Sequence, residues 1–223
     1  MIVSLTAGTR RSMTRSIAIL AALSLFACRQ IDGGPELSET RTLDAFTRVR
    51  IEDGLTARLS PGPPQATINA PEKVVANLET VVKSGTLIVR LKPNVIVTDL
   101  DSTEVVITGE AVVSAETTGG SNLTVTEVDA SPFRATASGG SHLEVSGRTA
   151  DARLNASGGS GINATKLLAE VASVEATGGS TIDVSASKSV EGTASGGSRV
   201  TVTGGADATA ISSSGGSSVN AAN

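Results

Sequence analysis

The chain has 223 residues, 39% of them apolar but only 1% aromatic, with neither Trp nor Tyr, so its core must come from Val, Leu, Ile and Ala. Such a composition suits thin stacked layers and excludes a globule built around large aromatic side chains. The formal net charge is −4, and no cluster of Lys and Arg interleaved with aromatics exists to track phosphates, so no nucleic-acid partner is expected.

In chain order, the first 27 residues have the pattern of an export signal. Arg10, Arg11 and Arg15 form a basic start, followed by the apolar stretch "SIAILAALSLFA" from Ser16 to Ala27. The apolar stretch is too short to span a bilayer. The true start is either Met1 or Met13. The stretch ends in Leu25-Phe26-Ala27-Cys28, which resembles a bacterial lipobox, and Cys28 is the single cysteine. A lone cysteine makes no intramolecular disulfide, so lipidation at Cys28 is its most economical use. Removal of residues 1–27 leaves 15 basic against 22 acidic residues, a net charge of −7. Residues 28–40, with "DGGPELSE", are expected to be a tether. Residues 41–223 are expected to form one domain.

"FTRVRIEDGLTARLS", Phe46 to Ser60, alternates apolar and polar residues around a turn at Asp53-Gly54. Pro71 is placed to open a short helical segment in "APEKVVANLE". "TVVKSGTLIVRL" predicts a hairpin with Ser84-Gly85 at its tip.

From residue 111 the chain becomes periodic. Gly-Gly-Ser triplets begin at Gly119, Gly139, Gly158, Gly178, Gly196 and Gly215, at intervals of 20, 19, 20, 18 and 19 residues. A Ser or Thr precedes each triplet. Two residues beyond each triplet's Ser stand Leu123, Leu143, Ile162, Ile182, Val200 and Val219, and four before each first Gly stand Ala115, Ala135, Leu154, Val174, Gly192 and Ile211. Apolar residues two apart with polar ones between them mark strands with one buried face. A unit of about 19 residues holding two or three short strands fits one coil of a parallel β-helix. Gly-Gly then turns a tight corner, and the flanking hydroxyls bond to neighbouring backbone or to one another up the stack.

The "FTRVRIEDG" opening, the "VVKSGTLIVRL" segment and the Gly-Gly-Ser coils, in this order, resemble the head GIN domain family of auto-transporter-type adhesins over about residues 42–220. The resemblance implies an all-β, right-handed parallel β-helix exported to the bacterial envelope, often as a lipoprotein, and it carries no catalytic residues across. Arg29 directly after Cys28, rather than Asp, points outward from inner-membrane retention.

The candidate binding face is the set of outward positions flanking the Leu/Ile/Val column. Asn122, His142, Gly161, Thr181, Arg199 and Ser218 come just before it, and Thr124, Glu144, Asn163, Asp183, Thr201 and Asn220 just after. Glu144 and Asp183 lie two coils apart, roughly 9–10 Å by strand spacing. That separation is near the upper end for an inverting glycosidase, so a polysaccharide-active enzyme is the alternative. No aromatic side chain is available there to stack a sugar ring, and Asp183 is placed to pair with Arg199 on the adjacent coil. "GGSTID" and "GGSGIN" echo the calcium nonapeptide of Gly-rich β-rolls, but the period is about twice as long and only one coil carries the Asp. No P-loop, nucleophile elbow or zinc spacing occurs. The expectation is therefore a non-catalytic, lipid-anchored envelope protein with no cofactor or metal, held at a membrane through Cys28. It would contact a surface ligand or, in a further alternative, act as a periplasmic sensor or assembly partner. Weak self-association is expected at the solenoid end.

Overall fold

The structure, a computed structural model, describes residues 29–31, 33–98 and 100–221. The export segment and Cys28 lie outside the described residues. The chain passes in order through β1 (Arg29–Ile31), β2 (Glu36–Thr42), β3 (Arg48–Ile51), β4 (Thr56–Pro61), β5 (Gln65–Pro71), α1 (Glu72–Val75), β6 (Leu78–Lys83), β7 (Thr86–Leu91), β8 (Val95–Val97) and β9 (Glu104–Gly109). The periodic part supplies β10 (Ser114–Thr117), β11 (Asn122–Asp129), β12 (Phe133–Ser138), β13 (His142–Ser157), β14 (Gly161–Thr177), β15 (Thr181–Ala194), β16 (Arg199–Thr203), β17 (Asp207–Ser213) and β18 (Ser218–Ala221).

Two parallel ladders make this a β-solenoid. One runs from β7 through β3, β10 and β12 into the C-terminal halves of β13, β14 and β15, ending on β17. The other runs from β9 through β4 and β11 into the N-terminal halves of β13, β14 and β15, ending on β16 and β18. Where two or three short strands per coil are expected, β13, β14 and β15 run unbroken for 16, 17 and 14 residues. They bend at β-bulges, such as those between Glu144 and Ser146 and between Ala164 and Leu168. A bulge turns a strand without ending its pairing.

The interior is thin and aliphatic, as the composition requires. Leu123, Leu143, Ile162, Ile182 and Val200 form one column of one ladder, each at most 2% exposed, and Ala115, Ala135, Leu154 and Val174 form a column of the other. Burying each Leu, Ile or Val contributes about 1.5–3 kcal/mol. Gly192, the gap in the second column, has a cause: at φ +141° a Cβ there would run into the carbonyl oxygen of Val174 on the preceding coil. Phe46 and Phe133 are the aromatic side chains buried in the core.

Each Gly-Gly is a corner between the ladders. The first glycine has φ between +61° and +68° and the second between +76° and +79° in all six, a left-handed pair that costs glycine no Cβ clash. The second glycine's N–H donates to the first glycine's carbonyl on the next coil at 2.9–3.1 Å, from Gly120 to Gly139 and so on down to Gly197 and Gly215. The Ser that follows turns inward. Ser121, Ser141, Ser160, Ser180 and Ser198 are at most 2% exposed. Each donates its hydroxyl to the carbonyl of the residue preceding its triplet at 2.7–2.8 Å. Ser160, Ser198 and Ser217 also accept the backbone N–H of the preceding triplet's Ser, at 3.3, 3.2 and 3.0 Å. The triplet is thus a turn with its own buried hydrogen-bonding plug.

Before the repeats, the order in the stack departs from the order in the sequence. The β3–β4 layer, with its corner at Asp53-Gly54 (φ +63° and +76°), lies between the β7 and β9 layer and the β10–β11 layer. After β9 the chain passes over that layer to begin β10. Residues 36–40, expected to be part of a tether, belong to β2, which pairs antiparallel with β5 from Glu36↔Pro71 to Thr42↔Gln65. With β6 antiparallel on β7, this end of both ladders is closed. Arg41 staples the closure, donating to the carbonyls of Leu78 and Val75 at 2.8 and 3.1 Å and to the Thr80 hydroxyl at 3.2 Å. Pro71 caps α1, and the β6–β7 hairpin turns at Ser84-Gly85 (φ +48° and +74°), both as the sequence predicts.

Candidate functional site

The second ladder sets the candidate residues in register. Asn122, His142, Gly161, Thr181 and Arg199 are successive partners, as are Thr124, Glu144, Asn163, Asp183 and Thr201. Strand pairing spaces neighbours in a column about 4.8 Å apart, and the two columns, two residues apart along each strand, stand roughly 6.5–7 Å from one another. The apolar residues between the columns point into the core, so the outer surface is a polar lattice. Asn122, His142, Asn163 and Arg199 are exposed, and Thr124, Glu144, Thr181, Asp183 and Thr201 are half-buried.

At the centre the lattice is dented. Gly161 supplies no side chain between His142 and Thr181, and the imidazole leans over it, its Cδ2 3.2 Å from where a Cβ would stand. The result is an open depression of about 500 Å³ that runs across the coils from Asn122 and Thr124 to Thr181 and Asp183. On its rim Glu144 accepts from Lys166 Nζ at 3.0 Å. Asn163 Oδ1 accepts from the backbone N–H and hydroxyl of Thr165 at 3.2 and 2.7 Å, so these bonds engage the oxygen and not the NH2 of this exposed side chain. The expected pairing of Asp183 with Arg199 is not made: Arg199 stands opposite Thr181, and Asp183 opposite Thr201. Among the described residues no three His, Cys, Asp or Glu side chains converge on one point.

Two parts of this face are not evident from the Gly-Gly-Ser period. Thr56 and Arg58 of β4 extend it upward opposite Asn122 and Thr124, and Arg58 pairs with Glu104 at 2.6 Å. The signal was available, because Asp53-Gly54 aligned with a Gly-Gly corner puts Thr56 and Arg58 at the outward positions. Lys166 has no such signal, since it arrives through a bulge.

These features define a β-solenoid with an open, dented polar sheet face. The chain belongs to the family described as "Putative auto-transporter adhesin, head GIN domain", whose model matches residues 45–206. Solved structures share the fold. A "putative adhesin" from Bacteroides fragilis matches with a TM-score of 0.69 at 14% identity, over 87% of this chain and 100% of its own. A "putative lipid binding protein" from Parabacteroides distasonis matches with a TM-score of 0.55 at 16% identity, over the same shares. No curated protein matches the chain. The family places the protein among bacterial surface or envelope proteins. Among the described residues no helix is long and apolar enough to cross a membrane.

Proposed function

We propose that this protein is a non-catalytic, adhesin-like module of the bacterial cell envelope, held at a membrane by a lipid on Cys28, and that it makes its contacts through the face centred on His142, Glu144, Asn163 and Asp183. The observation that carries the reading is the register of the two outward columns, which repeats polar groups at fixed spacing over five coils. Such a surface favours many weak contacts made together. The lipobox-like Leu25–Cys28 supports the anchor. Arg29, directly after Cys28, belongs to β1, which pairs with β8, so a lipid on Cys28 would hold the body close to the bilayer.

The test pairs Asn163→Arg with Asp183→Arg and measures binding of the double variant to cells and envelope preparations. Binding falls if the face makes the contact, and unchanged binding refutes it. For the anchor, mass spectrometry of membrane-derived protein should find a diacyl or triacyl mass on Cys28 that is absent from Cys28→Ala. Polysaccharide turnover abolished by replacing Glu144 or Asp183 would overturn the non-catalytic reading.

A further inference from the structure

We infer that the depression at Gly161 is a binding site for a neutral polysaccharide, engaged through its hydroxyl groups along the solenoid axis. The inference rests on the contact face proposed above and names its ligand class.

The first argument is the absence of large apolar anchors. A protein partner needs a desolvated centre rich in aromatic or aliphatic anchors. Here Leu123, Leu143 and Ile162 are turned inward and at most 2% exposed, and no Phe, Tyr or Trp lines the depression. The side chains that project outward, from Asn122 and Thr124 to Thr181 and Asp183, all carry hydrogen-bonding groups. The second argument is charge. The lining carries Glu144 and Asp183 but no Lys or Arg, and Lys166 is engaged by Glu144. A phosphate, sulfate or uronate in the depression would meet two carboxylates, one of them paired with Lys166, while the exposed Arg199 stands one rung beyond Thr181 and outside the lining, so the depression itself selects against anionic ligands.

The third argument is geometry. Glu144, Asn163 and Asp183 form a line of acceptor, amide and acceptor on three successive rungs, about 4.8 Å apart. That interval is comparable to one sugar residue in an extended chain. Carboxylates accept hydroxyl protons, and the NH2 of the exposed Asn163 donates to hydroxyl oxygens. Asn122, Thr124 and Thr181 repeat mixed donor and acceptor chemistry beside that line. Gly161 gives the polymer its seat, because the floor there is bare backbone. With the small His142 imidazole as the one ring in the lining, each sugar is held weakly, and affinity comes from several sugars engaged on successive rungs at once.

The experiment is affinity electrophoresis of the native protein in gels containing one polymer each: a neutral glucan, a neutral mannan, a neutral xylan, and polygalacturonate as the anionic comparison. The wild type should be retarded by at least one neutral polymer and not by polygalacturonate. Gly161→Leu fills the seat and Asn163→Ala removes the central donor. Each should weaken retardation at least about tenfold, the effect of roughly 1.4 kcal/mol. Circular dichroism and urea midpoints matching the wild type would show that both variants fold. Retardation by polygalacturonate, no retardation by any neutral polymer, or retardation indifferent to both substitutions overturns the inference. If no neutral polymer retards the protein but Asn163→Arg with Asp183→Arg still abolishes envelope binding, the ligand class is wrong and the contact face stands. If that binding is also unchanged, both fail.

Discussion

Replacing Ser198 by Ala tests why every Gly-Gly is followed by serine. Ser198 is 1% exposed. Its hydroxyl donates to the Ser195 carbonyl at 2.7 Å and accepts the Ser180 N–H at 3.2 Å. The substitution removes one oxygen and admits no water, so it leaves a buried donor without an acceptor and a carbonyl without one of its donors. An orphaned buried group costs about 1–3 kcal/mol and a lost neutral hydrogen bond about 0.5–1.5 kcal/mol. The expected loss is therefore about 2–3 kcal/mol, which in a chain of this size lowers Tm by roughly 5–10 °C. Urea unfolding followed by circular dichroism should show a lower midpoint with unchanged slope, and the Ser180 amide should lose hydrogen-exchange protection. Ser173→Ala, on the exposed side of β14, is the comparison and should stay within about 0.5 kcal/mol of wild type. If Ser198→Ala is as stable as Ser173→Ala, the inward hydroxyl does not hold the corner and the glycines alone explain the triplet.

Gly192→Ala should destabilise by more than about 2 kcal/mol, because its Cβ collides with a backbone carbonyl. Gly159→Ala, where a Cβ meets nothing within 4 Å at φ +76°, should cost only about 1–2 kcal/mol; equal urea midpoints for the pair would refute the distinction. Thr117 is fully buried and its hydroxyl has no partner, so Thr117→Val should raise the thermal midpoint by an amount equivalent to about 1 kcal/mol. Arg41→Met should cost about 2 kcal/mol by releasing the carbonyls of Val75 and Leu78, with hydrogen exchange accelerated first in β2 and β6. The Thr209 backbone N–H beside the exposed Asp207 holds its carboxyl below the ordinary 3.8. A lowered carboxylate contributes stability above its unfolded value and loses it as pH falls through the folded one, so an NMR titration should place the Asp207 inflection below that of a free aspartate.

The sequence by itself determined the repeating unit. The spacing of Gly-Gly-Ser, the apolar residues two apart on either side of it and the lack of aromatics require short steps of strand joined by left-handed corners, and stacking is the only way such thin units bury a core. The same register sets Asn122 to Arg199 and Thr124 to Thr201 on one face from the spacing alone. The tertiary structure decided the rest, for reasons that periodicity does not carry. The β3–β4 layer lies between strands that follow it in sequence, because its two ladder edges find partners only when β7 and β9 pair on one side and β10 and β11 on the other. Residues 36–40 of the expected tether joined β2, where they pair with the outer edge of β5. Lys166 reached Glu144 through a bulge that no count of residues foretells. The depression exists because one coil has glycine where its neighbours have side chains, an absence that acquires meaning only once His142 and Thr181 are set one rung to either side of it.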